Sequence, residues 1–403
     1  MAAASTLASV AYIYKTTYAS NVGQEAIRRH PFEAMVTKTG GFTGSTFTYP
    51  MRFGNPQGVS RDFPTAQAGA TSSQGLQFAA FRKKNYGIVT LDGEALQACD
   101  SKGSFLDLVT LETDAIITEL VDCLAFDLYR DGTGNRGQIS AIAVNLITFV
   151  NSDDARNFKI GMALVAATVT TGNTGNRTGS TTVVGIDTDA GTITLLNAAA
   201  ITGLAAADFL FRAGDALAAG SVSGIEGMEL CTPLTAPTTG DSFRGKDRSV
   251  FVTLLAGVRV NDLTSTIEEN AGLVAVKINQ NGGTSDSLML NPTNFYKVCR
   301  RLGAKAEYAN VGGNVDFGFE SITIHTPAGA LKVYSDPDCP TNRGRVFDSG
   351  SHYVRTLEDF VHVVMDDGRP NLRSVNADSV EARIRSMSNY IQTDTRNHGV
   401  FAI

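Results

Sequence analysis

Tryptophan is absent from the 403 residues, and charge is scarce: Asp, Glu, Lys and Arg together make up 18%. An average soluble protein carries about 25%. Fewer charges mean less surface that must stay wet, so much of the surface is expected to lie under partners. A basic excess is missing too, since the formal net charge is −6. That excludes a protein gripping nucleic acid through a broad cationic face, and fits one that tolerates nucleic acid nearby. Of the five cysteines, at 99, 123, 231, 299 and 339, no two stand at CxxC spacing, which removes the common zinc and redox readings. Their odd number and wide spacing point to free thiols in a reducing compartment. The opening residues lack the basic start and unbroken apolar run of a secretory signal. The longest uncharged stretches, such as 190–207, carry Gly, Asn and Thr, so no membrane-spanning helix is expected.

What is present is a 43% hydrophobic fraction with 40 glycines. That is enough apolar material for two or three domains, with many turns and no all-helical bundle. Residues 1–35 read as an arm, with Arg28, Arg29 and His30 in a solvated turn. In 46–53, Phe47, Tyr49, Met51 and Phe53 alternate with Thr46, Thr48, Pro50 and Arg52. That is a strand with one apolar face. A Gly-, Pro- and Ser-rich stretch, 54–75, follows before Leu76, Phe78 and Phe81 return. Two readings stay open for it: a long hairpin reaching onto another chain, or a disordered surface loop. A loop of about twenty residues without structure is unusual in a compact domain, and a lone hairpin is marginal in water. On the first reading the inter-subunit contacts are Phe47, Tyr49, Met51, Phe53, Arg61, Phe63, Arg82, Lys83 and Lys84. The last three form the densest basic cluster, and two uses stay open for it, pairing with an acidic partner surface or plain solubility.

Apolar residues at helical spacing from Phe105 to Leu128, with Ser104 as cap and Gly132 as terminator, predict a long strut of a helix over 101–132. Over 138–235 charges thin out and short Val- and Thr-rich runs alternate with turns, predicting an inserted small β-barrel or sandwich. Mixed α/β pattern fills 245–345. It comprises a strand in 250–260, a helix opened by a Ser265/Glu268 capping box, the buried strand 287–290 and a helix from Pro292 stopped by Gly303. Strands dominate 346–403.

Several motifs fail in context. Gly132–Gly137 matches GxGxxG but follows a helix end and not a strand, and Gly240–Lys246 resembles a P-loop with Asp247 where a hydroxyl should hold magnesium. The triplet Asp316-Phe317-Gly318 stands without other kinase motifs. Asp187, Asp189 and Gly191 lack the closing Glu of a calcium loop. No His has metal spacing, and His30, His325, His352, His362 and His398 are expected on the surface or in strands. No catalytic, cofactor-binding or metal site is assigned.

The order of these elements resembles the tailed-bacteriophage major capsid proteins, the Hong Kong 97-like α+β fold. FTGSTFTYPMRFGNP (42–56) is similar to that family's extended loop, and 104–130 to its spine helix. SLMLNPTNFYKVCRRLG (287–303) resembles the strand–Asn-Pro–helix unit of its axial domain, VYSDPDCP (333–340) a late strand with an Asp-Pro turn, and the C-terminal segment its peripheral domain. The resemblance implies an N-terminal arm (1–35), extended hairpin loop and first peripheral strands (36–100), spine helix (101–132), β-rich insertion (138–235), axial-type domain (245–345) and peripheral return (346–403). It implies self-assembly into hexameric and pentameric capsomers of an icosahedral virion shell, put together in a bacterial cytoplasm, with no catalysis and no cofactor. The implied partners are other copies of the chain, a separate scaffolding protein, a portal and weakly contacted double-stranded DNA, with room for a decoration protein and no membrane. Two rivals come from the composition: a β-rich virion or surface binding protein, and a hydrolase built on scattered acids.

Overall fold

The computed structural model describes residues 30–92, 102–170, 175–215, 224–303, 322–364, 371–373 and 378–403. Its first sheet is organised by one long strand, Ser379–Gln392. This strand pairs antiparallel with Lys83–Asp92 along most of its length, from Lys83 opposite Ser388 to Asp92 opposite Ser379. It also pairs with His352–Thr356, His362–Val363 and Asn371–Arg373, and Thr37–Thr39 joins His352–Thr356 in parallel.

Across this sheet lies a helix of 28 residues, Lys102–Tyr129, about 42 Å at 1.5 Å per residue. Ser104 is therefore inside the first turn and not its cap. Gly87 permits the close crossing, since a Cβ there would stand 3.0 Å from Ile116 Cγ1. Leu120, Leu124 and Leu128, one turn apart, enter the main core with Phe32, Tyr129, Met228, Phe347 and Tyr390.

The second sheet runs in the order Val258–Val260, Gly399–Ala402, Arg343–Phe347, Ser287–Leu290, Gly329–Ser335, Ile322–Thr326. Helices Ile267–Gln280 and Pro292–Gly303 enclose an apolar core of its own, with Val274, Ile278 and Val298 on Leu288 and Leu290. Two local expectations change. The capping box is Thr266 with Glu269, because the Ser265 hydroxyl donates to Asp262 instead. The strand in 250–260 shrinks to Val258–Val260, because Val252–Ala256 is a short helix ended by Gly257 at φ 75°. Burial of Leu255 in the main core overrides its β-branched neighbours' strand preference.

Six strands close a barrel in the order Phe209–Arg212, Asn135–Ala143, Leu146–Phe149, Thr192–Leu195, Thr181–Asp187, Ala163–Ala167. Its core holds Ile139, Ile147, Leu164, Val183, Ile193 and Leu210. The strand Asn135–Ala143 begins inside what the sequence presents as a Gly-rich turn. At the other end Ile225, Met228 and Cys231 pack in the main core, outside the barrel.

Polar clamps join these bodies. His30 is not in a solvated turn. It is 4% exposed, with Nε2 2.7 Å from Asp122 Oδ1 on the long helix and Nδ1 2.5 Å from Asp338 Oδ2 in the Asp-Pro turn. Burial alone would lower its pKa, but the two carboxylates outweigh burial and lift it to about 9. Asp122 also pairs with Lys159 from the barrel. Beside it Asp336 Oδ2 accepts from the Phe32 amide at 3.0 Å and the Tyr129 hydroxyl at 2.9 Å, and burial lifts its pKa to about 6.

The folded pKa of His30 lies above the unfolded value of about 6.5. Its contribution is therefore fully present below about pH 6.5 and fades as pH rises through about 9. His30→Ala takes the cation from Asp338 and leaves Asp122 to Lys159 alone, and is expected to cost about 3 kcal/mol at pH 6 in denaturant unfolding. The variant should also lose the wild-type decline in stability between pH 7 and 9. An unchanged alkaline decline would assign that decline to another group.

Candidate assembly surface

A two-stranded hairpin, Thr46–Gly54 with Gln74–Phe81, stands apart from both sheets. Its root and its tip have opposite characters. At the root Tyr49, Met51, Phe78 and Ala80 are buried in the main core of the same chain, with Phe47, Phe53 and Leu76 packed against it. The apolar stripe expected to need a neighbour is thus covered at home at Tyr49 and Met51.

The basic cluster is also used within the chain. Arg82 Nη1 donates to the carbonyls of Phe42 and Gly44. Lys83 pairs with Glu226 at 3.2 Å, so its acidic partner is internal. Lys84 is exposed.

The group that seats the root is Arg244, whose side chain is 1% exposed. Its Nε donates to Glu226 Oε2 at 2.7 Å, Nη1 to the Tyr49 hydroxyl at 2.6 Å and Nη2 to the Tyr390 carbonyl at 2.7 Å. Burial opposes its charge, yet the surrounding acids, Glu226 among them, hold its pKa above the usual value. Glu226 is pushed up by burial, and Arg244 and Lys83 pull it below the ordinary carboxylate range. Burial lifts Tyr49 to about 12. Arg244 comes from the P-loop-like segment, which is a polar turn closed by Asp247 accepting from the Gly240 and Ser249 amides. The one sequence signal for it was a lone Arg between turn residues, and here it takes a left-handed φ of 48°.

The tip is bare. Every residue from 55 to 75 is exposed except the half-buried Ala66. Contrary to expectation the stretch has structure of its own, a short helix Phe63–Ala68 whose first turn is capped by Asp62 accepting from the Thr65 amide. The Gln57 amide donates to Thr71 Oγ1 across the loop. Val59 is 91% exposed and Phe63 77%, and Arg61 makes no ion pair among the described residues. Of the nine candidate contacts, then, Arg61, Phe63 and Lys84 face outward, while Phe47, Tyr49, Met51, Phe53, Arg82 and Lys83 help hold the root.

Elsewhere the motifs are turns. Asp131 accepts from the Thr133 amide and hydroxyl, and Asp187 from the amides of Asp189 and Ala190. Asp316-Phe317-Gly318 and Cys99 lie outside the described residues. Cys123, Cys231 and Cys339 are buried free thiols, and Cys299 is a half-buried one. The carboxyl of Asp127, lifted to about 7 by burial and then by Asp215, is sealed in the interior and lines neither shallow groove beside the hairpin root.

Arg244→Met should destabilise the chain by about 3–5 kcal/mol, because it leaves Glu226 buried beside Lys83 alone. Adding Glu226→Gln should restore part of that loss in denaturant unfolding. Strict additivity of the two changes would show that the pair is not coupled.

No protein-family model and no curated protein sequence matches the chain. Among solved structures it is similar to the cyanophage A-1(L) capsid asymmetric unit, at 9% identity over 96% of this chain and 95% of that one, TM-score 0.55. Looser likenesses are to the capsid of a native GTA particle, at 8% identity, TM-score 0.48, covering 97% and 96%. Mycobacterium phage Ogopogo follows at 10%, TM-score 0.43, covering 99% of each chain. The likeness above 0.5 runs over nearly the whole length of both chains, and on that ground this chain has the fold of a phage capsid protein.

Proposed function

We propose that the chain is the major structural subunit of a phage shell, works by self-assembly and catalyses no reaction. On this reading the long helix is the spine of a Hong Kong 97-like layout, the first sheet is the peripheral domain and the second the axial domain. The hairpin is the extended loop and the barrel an insertion. Copies join as hexamers and pentamers around double-stranded DNA, with a scaffolding protein and a portal as further partners and the barrel's outer face free for a decoration protein.

The observation that carries this reading is the division within the hairpin. Its root is locked by Arg244 and the main core, while twenty-odd residues of tip project with Val59, Arg61 and Phe63 uncovered. A rigidly held lever with an apolar end fits a head-to-tail contact, in which the tip of one copy lies on the body of the next. Such heterologous contacts close into rings when the rotation between successive copies divides a full turn. Each fully buried large apolar side chain would contribute about 1.5–3 kcal/mol. Arg61 and Lys84 add charge that speeds and orients encounter more than it tightens it.

Replacing 55–73 by Asn-Gly joins Gly54 to Gln74 through a two-residue turn suited to a hairpin. The variant should keep the wild-type unfolding midpoint within a few degrees and form no closed particles by negative-stain microscopy. Normal particles would remove the tip from assembly. Particles absent from the wild type as well, with a discrete small oligomer, would favour the surface-binding alternative.

In assembled particles, helix Pro292–Gly303 should lie beside the capsomer symmetry axis. Cryo-electron microscopy placing Asn291–Arg301 far from any axis would overturn the axial assignment.

A further inference from the structure

The chain crosses between the two sheets at 348–351, from Phe347 to His352, and again at 393–398, from Gln392 to Gly399. The two crossings are bonded to each other, the Thr393 amide and hydroxyl both donating to the Ser351 carbonyl. Between them sit two buried histidines, each 2% exposed. The rings of His352 and His398 are 5.6 Å apart, boxed by Phe347 from the second sheet and by Tyr390 and Phe32 on the side of the first. His398 Nε2 lies 2.9 Å from the Ser351 hydroxyl, and the Ser351 backbone also favours its charge, though less than burial opposes it. Neither nitrogen of His352 makes a hydrogen bond of normal geometry, and the Asp348 carbonyl gives it only slight help.

We infer that this seam is an acid-sensitive hinge, closed while both histidines are uncharged and loosened when either takes a proton. A proton on His352 would place a buried cation in a box of aromatic rings with the Asp348 carbonyl as its main acceptor, and a second on His398 would set two cations side by side. The charged groups facing the pair do not reverse this. Asp286 favours a charged His352, but its carboxylate is already bonded to the Ser349 amide and hydroxyl. Arg345, from the neighbouring strand, opposes charge on His398. Asp394 and Arg396 in the second crossing pair with each other, and Glu33 of the Phe32 helix pairs with Lys38. Burial holds His352 down at about 4 and, with His352 beside it, His398 well below its usual value.

The sign follows from linkage. An open seam exposes groups titrating near 6.5, so the open form binds more protons as pH falls from about 6.5 to 4. For His352 alone the opening constant should rise about 60-fold between pH 7 and pH 4.5. Hydrogen exchange on the full chain reads this directly. Protection at 352–356 and 399–402, corrected for intrinsic rates, should fall by at least that factor, since His398 adds to it, while barrel strands 135–143 and 181–187 hold theirs. His352→Phe, which fits an aromatic box, should shift the loss to lower pH by one unit or more, and His352→Gln serves should the Phe variant not fold. Equal loss in wild type and variant, or simultaneous loss in seam and barrel, overturns the hinge.

Discussion

The buried Arg244–Glu226 pair is the constraint on which the shape of this protein rests. Two opposite charges removed from water are costly, and the cost is offset only while both are present and their remaining donors and acceptors are filled. Here the guanidinium reaches Glu226, a hairpin hydroxyl and a carbonyl of the long sheet strand at once. The hairpin root therefore cannot leave its seat without taking the Tyr49 hydroxyl away from a buried guanidinium, which would keep only Glu226 and the Tyr390 carbonyl. A two-stranded ribbon that would be marginal in water thereby becomes a stiff projection, and only a stiff projection can deliver a distant apolar tip to a fixed place.

The same division of labour recurs throughout. The main apolar core is shared between the two sheets, the long helix and the hairpin root, and ionic and hydrogen-bonded contacts add direction at the joints. His30 ties helix to turn and Lys159 ties barrel to helix. Arg345, fully buried, ties the second sheet to Glu229 and the Thr232 carbonyl. Apolar contact is non-directional, so it fills volumes well and sets angles poorly. Directional polar groups fix how the filled volumes meet. The histidine seam departs from this pattern, being a joint that holds through the absence of charge.

Much of this was legible in the sequence. The alternation from Thr46 to Phe53, the helical spacing down to Leu128, the strand 287–290 and the helix opened by Pro292 are local patterns, and local patterns are what periodicity reports. The barrel showed itself as thinning charge and regularly spaced strands, though its first strand was hidden by Gly134 and Gly137. What periodicity cannot report is the identity of the surface that covers an apolar face. Phe47, Tyr49, Met51 and Phe53 read correctly as one face, but Arg244, some two hundred residues away, decides that the face turns inward. Nor does sequence distance betray that His30 meets Asp338, because either residue alone looks like an ordinary surface charge.

The closed barrel has one more consequence. An open sheet offers unpaired N–H and C=O groups along its margins, which invite strands from other chains; closure abolishes such margins. Wherever copies of this chain are crowded together, the barrel of each adds no template for mispairing. Because Phe209–Arg212 pairs directly with Asn135–Ala143, the barrel's entrance and exit lie side by side, like the two legs of a handle. What ties the barrel to the rest is a short set of polar contacts, Lys159 and Arg212 on the long helix and Asn151 on Thr341, so the partners that a change in the barrel must respect are few and named.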